Sequence, residues 1–218
     1  MNGSIMKQPL RVLLVTKSTG GVAEYVRRLV QGLNRGKFSL MVVCLSENGS
    51  EFAKELQQVY GIQSVSYVMN RYKVDLFQDI HVGLQLAKLI RTRQFDLIHA
   101  HASKPGFLVR VAALGTRIPV LYSPHCFAFH VGAGRGTILI TSFLERLAAF
   151  FTTRFVAVSD GEREQARQYR VGRDDQFSVI YTGIDPTLYR QSVDAHRLKI
   201  SLGIPVLAPV IGSVGRLS

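Results

Sequence analysis

Residues 10–34 read LRVLLVTKSTGGVAEYVRRLVQGLN, and a change of rhythm inside this stretch decides the fold. Leu10 to Val15 is a short apolar run, rich in branched side chains and bounded by polar residues, which predicts a buried strand. Thr16 to Thr19 turn the chain, and Gly20 and Gly21 follow. Val22, Val26, Leu29, Val30 and Leu33 then recur at helical spacing, with Glu24, Arg27, Arg28 and Gln31 between them. The order is strand, glycine turn, helix. A helix that starts on such a turn presents bare N–H groups at the positive end of its dipole, where an anion can sit. The glycines either let a ligand approach the backbone or supply a positive φ for a tight turn. Their spacing matches neither the dinucleotide fingerprint nor the P-loop, which speaks against a nicotinamide oxidoreductase.

The same alternation continues outward from this unit. Phe38 to Leu45 predicts a second strand, and Ser50 to Tyr60 a helix with Phe52, Leu56 and Val59 on one side. Gln63 to Val68 alternates as a third strand. Asp75 to Thr92 predicts a long helix capped by Asp75, with Leu76, Ile80, Leu84, Ala87 and Ile90 as its apolar face. Phe95 to Ala100 is a fourth strand, and Lys104 to Gly115 a helix with Pro105 at its start and Gly115 at its close. Val120 to Ser123 is a fifth strand, followed by an apolar helix over Thr137 to Phe151. Arg154 to Val158 is a sixth strand. Ser159 then caps a polar helix, Asp160 to Tyr169, and forms a capping-box pattern with Glu162. Phe177 to Tyr181 is a seventh strand. Further on, His196 to Leu202 reads as a short helix, and Val206 to Val214 as a new buried strand.

Strands and helices alternating at this spacing predict right-handed βαβ units, hence an α/β, Rossmann-like parallel sheet of about seven strands with helices on both faces. In such sheets ligands bind beyond the carboxyl ends of the strands. The residues there are Lys17 and Gly20-Gly21 after the first strand, and His99, His101, Ser103 and Lys104 around the end of the fourth. Ser123 and His125 follow the fifth, Ser159 the sixth, and Thr182, Gly183 and Asp185 the seventh. This rim is polar, rich in histidine and able to donate hydrogen bonds.

Composition narrows the class. The chain has 218 residues, 47% hydrophobic and 19% charged, which fits a folded globular protein and not a disordered one. No apolar run reaches the roughly 20 residues of a membrane span, and the first ten residues lack a signal-peptide core. The expected location is therefore cytoplasmic. Cys44 and Cys126 fit a reducing compartment. Cys44, in an apolar run, reads as core, and nothing in the sequence near Cys126 marks a reactive thiolate. Net charge is +12, from 27 basic and 15 acidic residues, which suggests an anionic partner such as a nucleotide or a phospholipid surface. The basic residues are spread over several helices and form no aromatic-laced stripe, so nucleic acid is not expected. The helix over 138–151 is apolar nearly all round, a pattern that favours burial in the core over contact with a membrane. Phe127 and Phe129 either close over a ligand or form a buried aromatic pair.

Six segments in order carry a resemblance: the Gly20-Gly21 turn, DLIHAH at 96–101, PVLYSPH at 119–125, FVAVSD at 155–160, VIYTGID at 179–185 and GSVGRLS at 212–218. Together they resemble the N-terminal half of a family 4 retaining glycosyltransferase of the GT-B architecture. That resemblance implies two Rossmann-like domains facing across a cleft, the first holding the acceptor and the second the nucleotide-sugar. It matches Gly20 and Gly21 to the turn that approaches the donor diphosphate. It matches His125 to a histidine close to the transferred sugar, the catalytic candidate, and Arg216 to an arginine that pairs with the diphosphate. Lys17, His101, Lys104, Ser159, Thr182 and Asp185 then stand on the acceptor side or the cleft rim. The family usually carries Asn where this chain has Thr182. No metal or other cofactor is implied. His99 and His101 share the spacing of strand neighbours on one face and could ligate a metal, but an acceptor-side or structural role is preferred.

The expected organisation is an acceptor-side domain over 6–190, and a linker with the first strand of a donor-binding domain over 191–218. The expected partners are a nucleotide-sugar, a glycan or lipid-linked acceptor, and an anionic membrane surface at which the protein is peripheral. This stretch by itself is expected to fold without catalysing transfer. Another GT-B enzyme, such as a sugar-nucleotide epimerase, and a basic α/β nucleic-acid-binding domain are the rival readings.

Overall fold

The computed structural model describes residues 8–47, 50–70, 74–130, 132–189 and 194–212. Among them, seven strands form one parallel sheet: β1 (Leu10–Lys17), β2 (Phe38–Ser46), β3 (Gln63–Val68), β4 (Leu97–His101), β5 (Val120–Ser123), β6 (Arg154–Ala157) and β7 (Phe177–Val179). Six helices connect them: α1 (Gly20–Gly32), α2 (Glu51–Gln58), α3 (Leu76–Thr92), α4 (Ser103–Ala112), α5 (Arg135–Ala149) and α6 (Asp160–Gln168). The spatial order is β3-β2-β1-β4-β5-β6-β7, so the chain reverses direction across the sheet between β1 and β4. At such a switch point neighbouring loops part and leave a crevice.

The central strands are buried on both faces, and their side chains divide alternately between two cores; the edge strands β3 and β7 are only partly covered. Val12 and Leu14 of β1 join Val42 and Cys44 of β2 under Val26 and Val30 of α1 and Leu56 of α2. Leu13, Val15, Val43, Ile98 and Tyr122 enter the opposite core with Leu86 of α3, Val109 of α4, Ala149 of α5 and Ala166 of α6. The fully buried Cys44 thiol is pushed up to about 11 by desolvation, as befits a core residue. Phe127 and Phe129 are both fully buried and stacked 4.6 Å apart, so they are core and not a lid.

Two helices depart from their sequence reading. On α3 the buried residues are Asp79, Val82, Leu86 and Ile90, whereas Leu76, Ile80 and Leu84 are exposed. The helix carries two apolar stripes, and the one containing Asp79 turns inward because Lys104 of α4 meets that carboxylate at 2.7 Å. On α5, burial all round is replaced by burial of one side, made of Ser142, Glu145, Ala148 and Ala149. Glu145 Oε2 accepts from Arg110 Nη2 at 2.7 Å, and Glu145 Oε1 accepts from the Tyr122 hydroxyl at 3.0 Å. Arg110 also lies 4.0 Å over the Tyr122 ring and donates to the Gly106 carbonyl. A Cβ on Gly106 would stand 2.3 Å from that ring, so only glycine fits there.

Residues 183–218 form a second compact unit. Its described part holds a 3₁₀ turn, Pro186–Tyr189, and helix α7 (Ala195–Ser201). Residues 206–212, expected to begin a buried strand, instead form a turn followed by irregular chain, with Leu207 and Ile211 almost fully exposed. Among the described residues this segment has no neighbouring strand to bond to, and a parallel strand exists only through such bonds. No helix among the described residues is long and apolar enough to cross a membrane.

Candidate active site at the carboxyl rim

The polar rim gathers where the strand order reverses. Strand β4 ends His99-Ala100-His101, and the two-residue spacing sends both imidazoles to the α1 side of the sheet, away from Ile98 and Ala100. Their ring centroids are 4.1 Å apart. His99 Nε2 lies 2.9 Å from Ser123 Oγ on β5, and His101 Nδ1 lies 3.1 Å from His125 Nε2. Tyr25 of α1 closes the cluster, its ring 4.7 Å from that of His125 and 5.6 Å from that of His101.

The backbone around these residues is strained. Ala102 has φ +71°, His125 +52° and Cys126 +95°. Non-glycine residues hold such angles only where their surroundings enforce them. Glu162 supplies the enforcement after β5. Its Oε1 accepts from the Cys126 N–H at 2.7 Å, and its Oε2 accepts from the Val158 N–H at 2.9 Å. Ser159 Oγ accepts from the Glu162 N–H at 3.1 Å, so half of the expected capping box is present. The other half is diverted: the buried Glu162 carboxylate ties the loop after β5 to the loop after β6.

The three histidines are neutral. Desolvation pulls His99 down to about 3 and holds His101 well below the ordinary imidazole value. Desolvation first, and the Lys17 charge second, bring His125 down to about 4. His101 is fully buried, and its Nε2 has no hydrogen-bond partner among the described residues. A buried N–H without a partner is rarer than a buried lone pair without one. We therefore assign the His101 proton to Nδ1, which donates to His125 Nε2. His125 then carries its own proton on Nδ1. Since its Nε2 edge faces buried His101 and the ring is only partly buried, the N–H edge is a donor available to a ligand.

The remaining rim residues separate into groups. Gly20 has φ +74° and opens α1; a Cβ at Gly20 or Gly21 would meet no atom within 4 Å, so the turn stands open. Lys17 ends β1 close enough to lower the His125 pKa. Lys17, His101 and His125 are brought together, and Gly20 and Gly21 open the helix that carries Tyr25 to the same cluster. Lys104 is turned aside, its ammonium bonded to Asp79 and, at 2.6 Å, to the Asn70 carbonyl. Ser159 is occupied as the cap of α6, and Thr182 is exposed just beyond β7. Asp185 belongs to the second unit, where its carboxylate accepts from the Thr187 N–H and hydroxyl at 2.9 and 2.6 Å. Arg216 lies outside the described residues. The Cys126 thiol is pushed up by burial and by the Glu162 charge, the opposite of activation. Among the described residues no group of three His, Cys, Asp or Glu side chains is arranged to hold a metal. Tyr25 was not singled out by the sequence; its only signal is a place one turn after Gly21 on the same helix face.

The family model for Glycosyltransferase Family 4 matches residues 19–188. The chain is 30% identical over 146 residues to a UDP-Gal:alpha-D-GlcNAc-diphosphoundecaprenol alpha-1,3-galactosyltransferase of Escherichia coli, an alignment covering 66% of this chain and 38% of that protein. It spans 33–44% of the length of the curated relatives it matches. Among solved structures, Anabaena HepE in complex with UDP and glucose superposes with a TM-score of 0.64 at 22% identity, over 89% of this chain and 50% of that one. A glycosyltransferase from Rickettsia africae superposes with a TM-score of 0.70 at 16% identity, over 93% and 52%. Both likenesses are of fold.

Proposed function

Since the chain belongs to glycosyltransferase family 4, we propose that it forms the acceptor-side domain of a hexosyltransferase. The enzyme moves a sugar from a UDP-sugar to a glycan carried on a lipid diphosphate, at the cytoplasmic face of a membrane. The first compact unit, which ends at Thr182, makes this domain, and the residues that follow lead into the donor-binding domain. The observation that carries the reading is the strained His125, bonded to His101 and facing the Lys17 charge at the point where strand order reverses, with the open Gly20-Gly21 turn following the strand that Lys17 ends. The UDP donor and lipid-diphosphate acceptor are drawn from the relative that is 30% identical, whose name states both.

In this reading the bond between the anomeric carbon and the diphosphate oxygen breaks, and the diphosphate takes the electron pair. Charge grows on that leaving group, and donors already in place stabilise it without reorganising. Lys17, the N–H groups at the start of α1 and Arg216 are the candidates on this chain. The His125 N–H donates to a hydroxyl of the transferred sugar and orients it. The acceptor hydroxyl attacks from the face the diphosphate leaves, which gives retention, and its proton passes to the departing phosphate oxygen. The charge is carried by these groups, with no divalent metal.

The test is calorimetric titration of this chain, and of one extended through a second domain, with UDP, GDP and their sugars. UDP-sugar binding by the extended chain alone, with transfer to a lipid-diphosphate acceptor that EDTA does not reduce, is expected. Tight nucleotide binding by the 218-residue chain, or sugar transfer by it, would overturn the acceptor-side assignment. His125→Ala in the extended enzyme is expected to lower kcat at least about a hundredfold while leaving UDP affinity unchanged.

A further inference from the structure

The backbone that carries His125 is held in a conformation it would not keep alone. His125 and Cys126 are consecutive non-glycine residues with φ of +52° and +95°. Each such angle is disfavoured for a residue with a Cβ and persists only under restraint. Glycine would relieve the strain, but at 125 it would remove the imidazole.

The restraint comes from α6 and α4. The Cys126 N–H closes the peptide that begins at the His125 carbonyl, so a bond to it fixes ψ of His125 and φ of Cys126 together. Glu162 Oε1 accepts that bond at 2.7 Å. On the far side of Cys126, its carbonyl accepts from Ser103 Oγ at 3.3 Å. The Glu162 bond is short and charge-assisted, whereas the Ser103 bond is long and neutral, so Glu162 is the dominant hold on this peptide. One turn along α6, Gln165 Nε2 donates to the Phe129 carbonyl at 3.0 Å, and buried Phe127 and Phe129 anchor the loop between the two ties.

Glu162 does not sit where its local sequence directs it. In a Ser-x-x-Glu capping box the glutamate returns to the N–H of the capping residue, here Ser159. Its oxygens instead accept from the Cys126 and Val158 N–H groups, and the residue is only 7% exposed. The helix cap is left to Ser159 Oγ, and the carboxylate serves the loop that bears His125.

We propose that Glu162 is a positioning residue for His125. By fixing the peptide after His125, it keeps the ring bonded to His101 and leaves the Nδ1 edge for the transferred sugar. The effect on transfer rests on the glycosyltransferase reading above; the effect on the ring does not need sugar transfer.

Glu162→Gln keeps one acceptor oxygen and puts an N–H donor in place of the other, and Glu162→Ala removes both. In the extended enzyme, Glu162→Gln is expected to lower kcat about tenfold, with KM for the UDP-sugar within about twofold, and Glu162→Ala to lower kcat at least as much. In a His125→Ala background the Glu162→Gln change is expected to cost less than about twofold further, because its effect passes through the imidazole. Asp75→Ala, which removes the cap bond of α3, is expected to keep kcat within about twofold, so that lost stability alone is controlled. Long-range proton–nitrogen spectra of the six histidine rings of this chain give a second readout, with His125 identified by the signals that His125→Ala removes. His125 is expected to show a single Nδ1–H tautomer at neutral pH, and Glu162→Gln to give signals averaged between both tautomers. An unchanged kcat, an equal loss in both backgrounds, or an unchanged His125 spectrum would overturn the proposal. An extended enzyme that transfers no sugar would remove the glycosyltransferase reading, and the spectra alone would then decide whether Glu162 holds His125.

Discussion

His99, His101 and His125 show how a few side chains set both stability and chemistry. Unfolding returns each imidazole to its ordinary value of 6.5, whereas folding holds His125 at about 4 and His99 at about 3. Below pH 6.5 the unfolded chain therefore binds more protons than the folded one, and stability must fall as pH falls. The window runs from 6.5 down to about 4 for His125 and to about 3 for His99. The unfolding free energy from urea melts is expected to be flat above pH 7 and to drop between 6.5 and 5, by up to about 1.4 kcal/mol per pH unit for each imidazole. A midpoint that rises on acidification would show that these rings are not buried neutral. Glu162→Gln removes a charged acceptor from the two loop N–H groups it holds, and a loss of about 1–3 kcal/mol is expected in urea melts. Gly106→Ala forces the Tyr122 ring aside, and a loss of at least about 1–3 kcal/mol is expected from the overpacking.

At the scale of elements, the ion pair between α4 and α5 decides which side of α5 is buried. Arg110 and Glu145 are 0% and 5% exposed at their side chains, so neither can lose its partner cheaply. Arg110→Met alone is expected to cost about 3–5 kcal/mol, because it leaves Glu145 buried with only Tyr122 as partner. Arg110→Met combined with Glu145→Leu removes both charges and is expected to be less damaging than either single change. A double-mutant cycle in urea reads this directly; additive losses would mean that the pair does not act as a unit. Two caps were legible in the sequence, Asp75 and Ser159, and a third, Ser50, was read as the first helical residue; each accepts from the N–H three residues on, as short polar side chains at helix starts do. The inward faces of α3 and α5 were not legible, because apolar periodicity assumes that charge faces water. Here Lys104 and Arg110, from a different helix, draw Asp79 and Glu145 inside.

For the whole molecule, both cores and all seven strands lie between residues 10 and 179. A chain ending at Thr182 is therefore expected to unfold in one transition, at a stability within about 0.5 kcal/mol of the longer chain. A shift well beyond that would mean that residues 183–218 contribute to the packing of the first unit.

Sequence alone determined the α/β class, the seven strands, and the identity of the rim residues after each strand. It could do so because strand and helix periods are local, and the turn chemistry of Gly20-Gly21 is read within a few residues. The rule that ligands bind at carboxyl ends put Lys17, His101 and His125 on one rim, and the fold sets His101 against His125 with the Lys17 charge nearby. Only tertiary structure decided the rest. The partners of His101, the bridging of two loops by Glu162 and the rotation of α5 depend on groups 24, 36 and 35 residues apart. Charge pairing over such separations overrides local pattern, since a buried ion must find its counter-ion wherever the fold brings one.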